Sequence, residues 1–327
     1  MRVLLTGADG LLGSNLVRLL LQRGHKVRVF LFPSSNSKSL DGLDIEKYYG
    51  NILDMQTLDK ALVNCDAIIH AAAMTNIWPA RSAIVRQVNI EGTRNVIQAA
   101  IKHGVKRMVY VGSGSSVNAQ PDANSKYAFP GAKFGLDYID SKFEALNLVM
   151  DAVNTQNLPA LAVLPTFMIG AYDSLPGSGQ MIIAVAQGKM KFYTAGGRNY
   201  VHVMDVAVAI ANGLEKGSIG KYYIAGNENL TYKEFLSKTA KIVNKPKPLI
   251  QIPSWLVKSI GYCGTVFGTW FGKQPMISYP IACISCEKQY VSSVDAINEL
   301  DMPQTDIEIA IRDCYNWFIE NNYIKQN

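Results

Sequence analysis

The sequence predicts an α/β protein, a doubly wound parallel sheet with a smaller C-terminal lobe. Three observations predict it. Through the first half of the chain, short apolar runs alternate with longer stretches of helical periodicity. A glycine-rich turn, Gly7-Ala8-Asp9-Gly10-Leu11-Leu12-Gly13, sits between the first run and the first helix. Finally, 327 residues with 48% hydrophobic and only 18% charged side chains are enough for a large buried core. That composition excludes a disordered, collagen-like or coiled-coil chain.

The elements follow in order. Val3–Thr6 is a strand of branched apolar residues, and Leu11–Arg23 a helix ended by Gly24. Val27–Leu31 is the second strand, followed by the Ser-rich loop Pro33–Ser39. Ile45–Tyr49 is a strand and Met55–Val63 a short helix. Ala67–Ala71 is a strand, and Ser82–His103 a long helix closed by Gly104. Arg107–Val111 is a strand, Asp137–Thr155 a helix and Leu161–Leu164 the next strand. Strands separated by helices at this pitch are parallel, with helices on both faces of the sheet.

After Pro165 the loops lengthen, and Gly170–Gly179 is rich in Gly, Pro and Ser. Tyr200–Val203 with Asp205–Lys216, then Lys221–Ala225, continue the strand–helix rhythm. Thr231 and Glu234 form a capping box that opens a helix running to Val243. Asp306–Asn321 is the last helix. The expected division is a nucleotide-binding domain over 1–166, also receiving about 199–226, and a substrate-binding lobe from 167–198 and 227–327.

The glycine turn has a physical reading. A tight turn, and close approach of a pyrophosphate to backbone, require residues without Cβ. The following helix offers free N–H groups and the positive end of its dipole. Gly7, Asp9, Gly10, Leu11, Leu12 and Gly13 are therefore candidate dinucleotide-binding residues. An acid at the end of the second strand would bind the ribose 2′-hydroxyl of NAD. Phe32 stands there instead, and Lys38 follows, which leans toward NADP over NAD. The alternative is that this loop is only a solvated connection.

Tyr138 and Lys142 are four residues apart on a predicted helix, so phenol and ammonium share one face. A nearby cation favours phenolate, and Tyr138 could then exchange a proton nearer neutral pH. Ser113, in Gly112-Ser113-Gly114-Ser115-Ser116, follows the strand Arg107–Val111. It lies at the carboxyl end of the sheet, where such folds bind ligands.

With these residues together, the chain resembles the short-chain dehydrogenase/reductase superfamily of the extended type, the NAD-dependent epimerase/dehydratase family. Its fold is Rossmann-type. Gly50-Asn51-Ile52-Leu53-Asp54 resembles the adenine-contacting turn of that family, although Asn51 stands where its first Asp is usual. Asp66-Ala67-Ile68-Ile69-His70-Ala71-Ala72 is similar to its cofactor-lining strand, and Val88-Asn89-Ile90-Glu91-Gly92-Thr93 to the helix behind the site. Pro165-Thr166 looks like the turn beside the nicotinamide amide. The resemblance implies Ser113, Tyr138 and Lys142 as the catalytic trio. It implies Asn51, Ile52, Ala71, Ala72, Ala73, Asn89, Pro165 and Thr166 as further cofactor contacts, and Met74, Ser113, Phe167 and Arg198 as substrate contacts.

The segment Asn199-Tyr200-Val201-His202-Val203-Met204-Asp205 resembles the dihydroflavonol-4-reductase-like and 3β-hydroxysteroid-dehydrogenase-like branch. That implies a reductase or dehydrogenase acting on a small organic carbonyl or alcohol. Arg198 occupies a place where nucleotide-sugar epimerases hold a diphosphate, so an epimerase or dehydratase with retained NAD is the alternative reading. A non-enzymatic NAD(P) sensor is a third, and the intact trio argues against it.

The excess of 32 Lys+Arg over 26 Asp+Glu is mild and spread out, which points away from a nucleic-acid partner. Five cysteines and the absence of a leader-like N-terminus suit a reducing cytoplasm. Cys283-x-x-Cys286 stands without a second pair or His cluster, so no metal is expected. His70 and His202 read as packed residues. Trp78, Tyr127, Phe129, Phe134 and Phe167 are candidate pocket walls. Trp255–Gly272, with the single charge Lys258, reads as a buried or pocket-covering helix with no membrane partner, membrane contact being the alternative reading. Val96, Ile97, Ala100, Leu146, Leu148 and Val149 on the two long helices exceed what one sheet face needs. With the superfamily's habit of pairing these helices, they predict a homodimer.

Overall fold

A computed structural model describes residues 1–117 and 130–324 of the chain. The elements begin with β1 (Arg2–Thr6), α1 (Leu11–Gln22), β2 (Lys26–Leu31), β3 (Glu46–Tyr49), α2 (Met55–Leu62) and β4 (Ala67–His70). The long helix follows as α3 (Ala83–Arg86), a π-helical turn (Gln87–Glu91) and α4 (Gly92–Lys102). Next come β5 (Arg107–Val111), α5 (Asp137–Gln156), β6 (Ala160–Pro165), β7 (Phe167–Ile169), α6 (Gln180–Ala186), β8 (Phe192–Tyr193) and β9 (Gly197–His202). The remainder is α7 (Val203–Asn212), β10 (Tyr222–Ala225), β11 (Glu228–Thr231), α8 (Tyr232–Ile242), β12 (Ile250–Gln251), α9 (Ser254–Phe271), α10 (Tyr279–Ser285), β13 (Lys288–Gln289), α11 (Val294–Leu300) and α12 (Ile307–Glu320).

Seven strands form one sheet in the order β10-β6-β5-β4-β1-β2-β3, every neighbouring pair parallel. Successive residues of a strand face opposite sides, and the sequence sorts them accordingly. Val3, Leu5, Ile69, Val109 and Val163 join the layer of α1 and α7. Leu4, Ile68, Met108, Tyr110 and Leu164 join that of α2, α4 and α5. Chain direction across the sheet reverses between β1 and β4, which opens a crevice at their carboxyl ends.

Several expectations change in detail. The strand around Tyr200 pairs with β7, β11 and β13 in a small second sheet, while α7 packs on α1 and β10 closes the large sheet. The predicted helix Ser82–His103 is broken by the π-helical turn. Val96, Ile97, Ala100, Leu146 and Val149 are all buried, because α4 and α5 pack on each other and on the sheet. Leu148 is half-buried beside them, and the open face of α4 carries Arg94, Gln98 and Lys102. The capping box at Thr231 and Glu234 forms with both hydrogen bonds.

The C-terminal lobe has its own core. Ile169, Ile182, Tyr200, Phe235, Ile311 and Phe318 meet there, with Tyr200 and Phe235 stacked at 4.1 Å. The segment Trp255–Gly272 is helical, but only its glycine-bearing side is covered. A Cβ at Gly261 would lie 2.5 Å from Ala282 Cβ, and one at Gly264 2.5 Å from the Ile277 carbonyl oxygen. Close packing of that side on α10 turns the aromatic side outward, so the expectation of a buried helix holds for one face only.

Candidate active site

The glycine turn shows two different needs for glycine. Gly7 has φ +74°, and a Cβ there would lie 2.6 Å from the Ala72 nitrogen. At Gly13 it would lie 2.1 Å from the Gly7 carbonyl oxygen. These two glycines are required by the fold itself. A Cβ at Gly10 would meet nothing nearer than 3.7 Å, so that position is open from the crevice. Helix α1 starts at Leu11 with no side-chain cap and no acid in its first turn. Its first N–H groups and dipole are left for an anion. Asp9 and Leu11 are half-buried and Leu12 is buried in the α1 layer.

Farther along the crevice, Phe32 follows β2 and is 54% exposed, and Lys38 is exposed in a short 3-10 turn. Asn51 Oδ1 accepts from the Leu53 N–H at 3.0 Å, shaping the turn before α2. The Ile52 side chain is buried against Gly92 and its carbonyl accepts from Asn95, so its role in the fold is packing.

The stretch Ala71, Ala72, Ala73 and Met74 leaves β4 along the crevice and is pinned at both ends. The Ala72 N–H donates to Thr6 Oγ1 at 3.1 Å. Asn89, projecting from the π-helical turn, accepts from the Met74 N–H at 2.8 Å and donates to the Met74 carbonyl at 3.0 Å. Its amide also reaches Ser141 Oγ at 2.9 Å. The proton order beneath is fixed by counting donors. Thr93 Oγ1 donates to the Asn89 carbonyl at 2.6 Å, so at 3.1 Å it accepts from His70 Nε2. Thr6 Oγ1 then donates to His70 Nδ1 at 2.8 Å. Burial holds the His70 ring neutral, its pKa pushed down to about 3 with help from the Lys142 charge.

Ser113, just past the carboxyl end of β5, and Tyr138, in the first turn of α5, come together. Ser113 hydrogen-bonds the Tyr138 hydroxyl, and its Oγ lies 2.7 Å from Ser115 Oγ. Lys142, one turn along α5, is buried and donates to the Val111 carbonyl at 2.6 Å, over the Tyr110 ring at 4.8 Å. The turn Pro165–Thr166 closes the far side, with Thr166 Oγ1 on Asn199 Oδ1 at 2.9 Å. Arg198 lies over the Phe167 ring at 4.9 Å and donates from Nε to the Tyr232 hydroxyl at 2.8 Å. Tyr138 packs against the cluster of Phe134, Leu136, Ile139 and Ile284, which joins the site to α10. Tyr127 and Phe129 lie outside the described residues.

The family model of the NAD dependent epimerase/dehydratase family matches residues 3–226. The chain belongs to this family. A Synechocystis protein that carries a provisional dihydroflavonol 4-reductase name is 29% identical over 98% of this chain and 95% of its own length. Sterol demethylase protein B of Methylococcus capsulatus is 30% identical over 99% of this chain and all of its own. Among solved structures, gox2253 superposes with a TM-score of 0.86 at 29% identity, covering 99% of each chain. The chain is thus an oxidoreductase of the NAD-dependent epimerase/dehydratase type.

The residues fit the dinucleotide that this family binds. The open backbone at Gly10 and the uncapped start of α1 suit a pyrophosphate. Lys142 uses one of its three donors on protein, and burial lowers its pKa to about 7. The ammonium is therefore short of partners that ribose hydroxyls would supply. For Tyr138 burial pushes the phenol up, opposed by the Ser113 hydrogen bond and then by the Arg198 charge. The sequence reading gave that electrostatic task to Lys142. The Arg198 charge acts in that direction here, and the Lys142 ammonium sits on Val111 and Tyr110. Ser115, Tyr110 and Asn199 were not singled out from the sequence. Ser115 stood in the quoted serine turn, two residues from Ser113, but no spacing rule separates it from Ser116.

Proposed function

We propose that the protein is an NAD(P)-dependent reductase of a small organic carbonyl, working in reverse as an alcohol dehydrogenase, in the manner of the dihydroflavonol-4-reductase-like branch. The observation that carries this is the Ser113–Tyr138 pair at the carboxyl edge of the sheet, beside the glycine turn. The nicotinamide, when bound, supplies the hydride. Ser113 holds the substrate oxygen, and Tyr138 gives it a proton as negative charge develops there. Arg198 offsets the burial that would otherwise make the phenol a poor partner for the return proton. Lys142 holds the nicotinamide ribose. Met74 and Phe167 line the substrate side. The names of the two full-length relatives, a reductase and a sterol-processing protein, support this reading.

Arg198 favours the second reading, a nucleotide-sugar epimerase or dehydratase. Against it, the guanidinium is already engaged by Tyr232 and Phe167. Phe32 places no carboxylate against a 2′-phosphate and Lys38 is exposed nearby in sequence, so NADPH is the preferred cofactor by a modest factor. The protein works as a homodimer in a reducing cytoplasm. The test is the cofactor state of the purified protein, followed by NADPH consumption with a ketone panel. Freely exchanging NADPH that is consumed supports the reductase. Tightly retained NAD, with heat stabilisation by UDP that Arg198→Ala abolishes, would replace it with the epimerase.

A further inference from the structure

Helix α9 carries an outward face that the reaction does not use. Trp255 is 69% exposed, Trp270 77% and Phe271 69%, and Tyr262 and Phe267 on the same helix are also exposed. Large apolar side chains gathered like this on one element are unusual on a monomer surface. The opposite side of the helix is covered, since Gly261, Gly264 and Gly268 pack on α10, the following loop and Trp78. Exposed Leu249 and Ile250 lead directly into it.

The charge along this stretch of the chain is one-sided. Between residues 235 and 286 the chain has no Asp or Glu, whereas Lys241, Lys245, Lys247, Lys258 and Lys273 are all exposed. None of these five enters an ion pair among the described residues. Among the described residues no helix is long and apolar enough to cross a membrane. We infer that α9 is a membrane-docking helix, which lies in the interface of an anionic bilayer with its tryptophans among the headgroups and its lysines on the lipid phosphates. Amphipathic rings and lysine ammonium groups are the side chains suited to that boundary. A second copy of the chain is a poorer occupant. An isologous contact sets this face against itself, lysine facing lysine with no acid in the segment.

Docking would also orient the site. Gly268 abuts Trp78, and α10 contributes Ile284 to the small cluster on which Tyr138 packs, so the crevice would open close to the bilayer surface. The docking claim stands apart from the reductase reading, because lipid binding is measured without turnover.

The test is co-sedimentation with vesicles of phosphatidylcholine alone and with about 30% phosphatidylglycerol, with tryptophan emission recorded. The expected result is partition onto the anionic vesicles at least about tenfold above the neutral ones, reduced at high salt, with a blue shift of the emission. Trp255→Ser with Trp270→Ser should remove the blue shift and most of the binding. Lys258→Glu with Lys273→Glu should weaken binding at least about fivefold. These side chains are exposed, and an unchanged cofactor titration confirms that each variant is folded. Equal binding to both vesicle types, or no binding to either, overturns the proposal. So does a concentration-dependent dimer that Trp270→Ser dissolves while vesicles bind nothing, which would assign the face to a second copy.

Discussion

Gly10 and Gly13 are equivalent in the sequence motif and different in the molecule. Gly13 faces the backbone of Gly7 at a distance no side chain can occupy, and backbone cannot rotate away. Gly13→Ala should therefore destabilise the fold by about 3 kcal/mol or more. Gly10 faces open crevice, so Gly10→Ala should leave stability within about 0.5 kcal/mol. It should nevertheless weaken NAD(P)H binding at least about tenfold, about 1.4 kcal/mol. Urea unfolding and a fluorescence titration on both variants check the pair. A large stability loss at Gly10, or unchanged cofactor affinity, would mean that the crevice there is not the pyrophosphate site. The motif spacing made all three glycines visible. It could not separate those that the fold itself requires from the one left open, since that depends on what the far side of the turn approaches.

The same limit applies to the cation acting on Tyr138. Lys142 was legible because four residues bring it onto the same helical face. Arg198 reaches the phenol only through the pairing of β9 with β7, 60 residues later, and no local pattern carries that information.

At the scale of elements, the seven parallel strands and the helices around them were legible because most of the strands are short, nearly continuous apolar runs and the helices between them carry a period of 3.6. The strands β8, β12 and β13 have two residues each and were not, since a period cannot be read from two residues. The π-helical turn was also hidden. It carries Asn89, whose amide fastens the Met74 backbone. Asn89→Leu removes that clamp and strands a backbone N–H and carbonyl, at a cost of about 2–5 kcal/mol. The cofactor KM should rise more than kcat falls, because the strand leaving β4 loses its anchor and the acid–base pair does not. A variant with wild-type stability and KM would show that the clamp is incidental. Helix α9 is the converse case. Its composition was apolar enough to suggest burial, but its three glycines use up the covered face, and the large side chains are left outside.

For the molecule as a whole, the buried chain Thr6–His70–Thr93–Asn89 ties β1 and β4 to the helix layer and works only with a neutral ring. An unfolded histidine takes up a proton below pH about 6.5, while His70 in the fold resists it down to about 3. Its folded pKa is depressed, so its contribution is present above about 6.5 and is lost as pH falls through that window. The slope approaches about 1.4 kcal/mol per pH unit where only the unfolded chain is protonated. Urea unfolding between pH 7 and about 4 should show that slope, and His70→Gln should be less stable at neutral pH but flatter. An equal slope in both proteins would place the acid sensitivity in other groups.

The account rests most heavily on Tyr138 as the group that exchanges a proton with the substrate oxygen. Tyr138→Phe keeps the ring that packs on the cluster of Phe134, Leu136, Ile139 and Ile284 and removes only the hydroxyl that Ser113 holds. The decisive measurement is NAD(P)H oxidation with an accepted ketone, beside a cofactor titration, in wild type and this variant. Turnover should fall by about 10²–10⁴-fold with cofactor affinity nearly unchanged. A variant that keeps more than about a tenth of the wild-type rate would contradict the assignment.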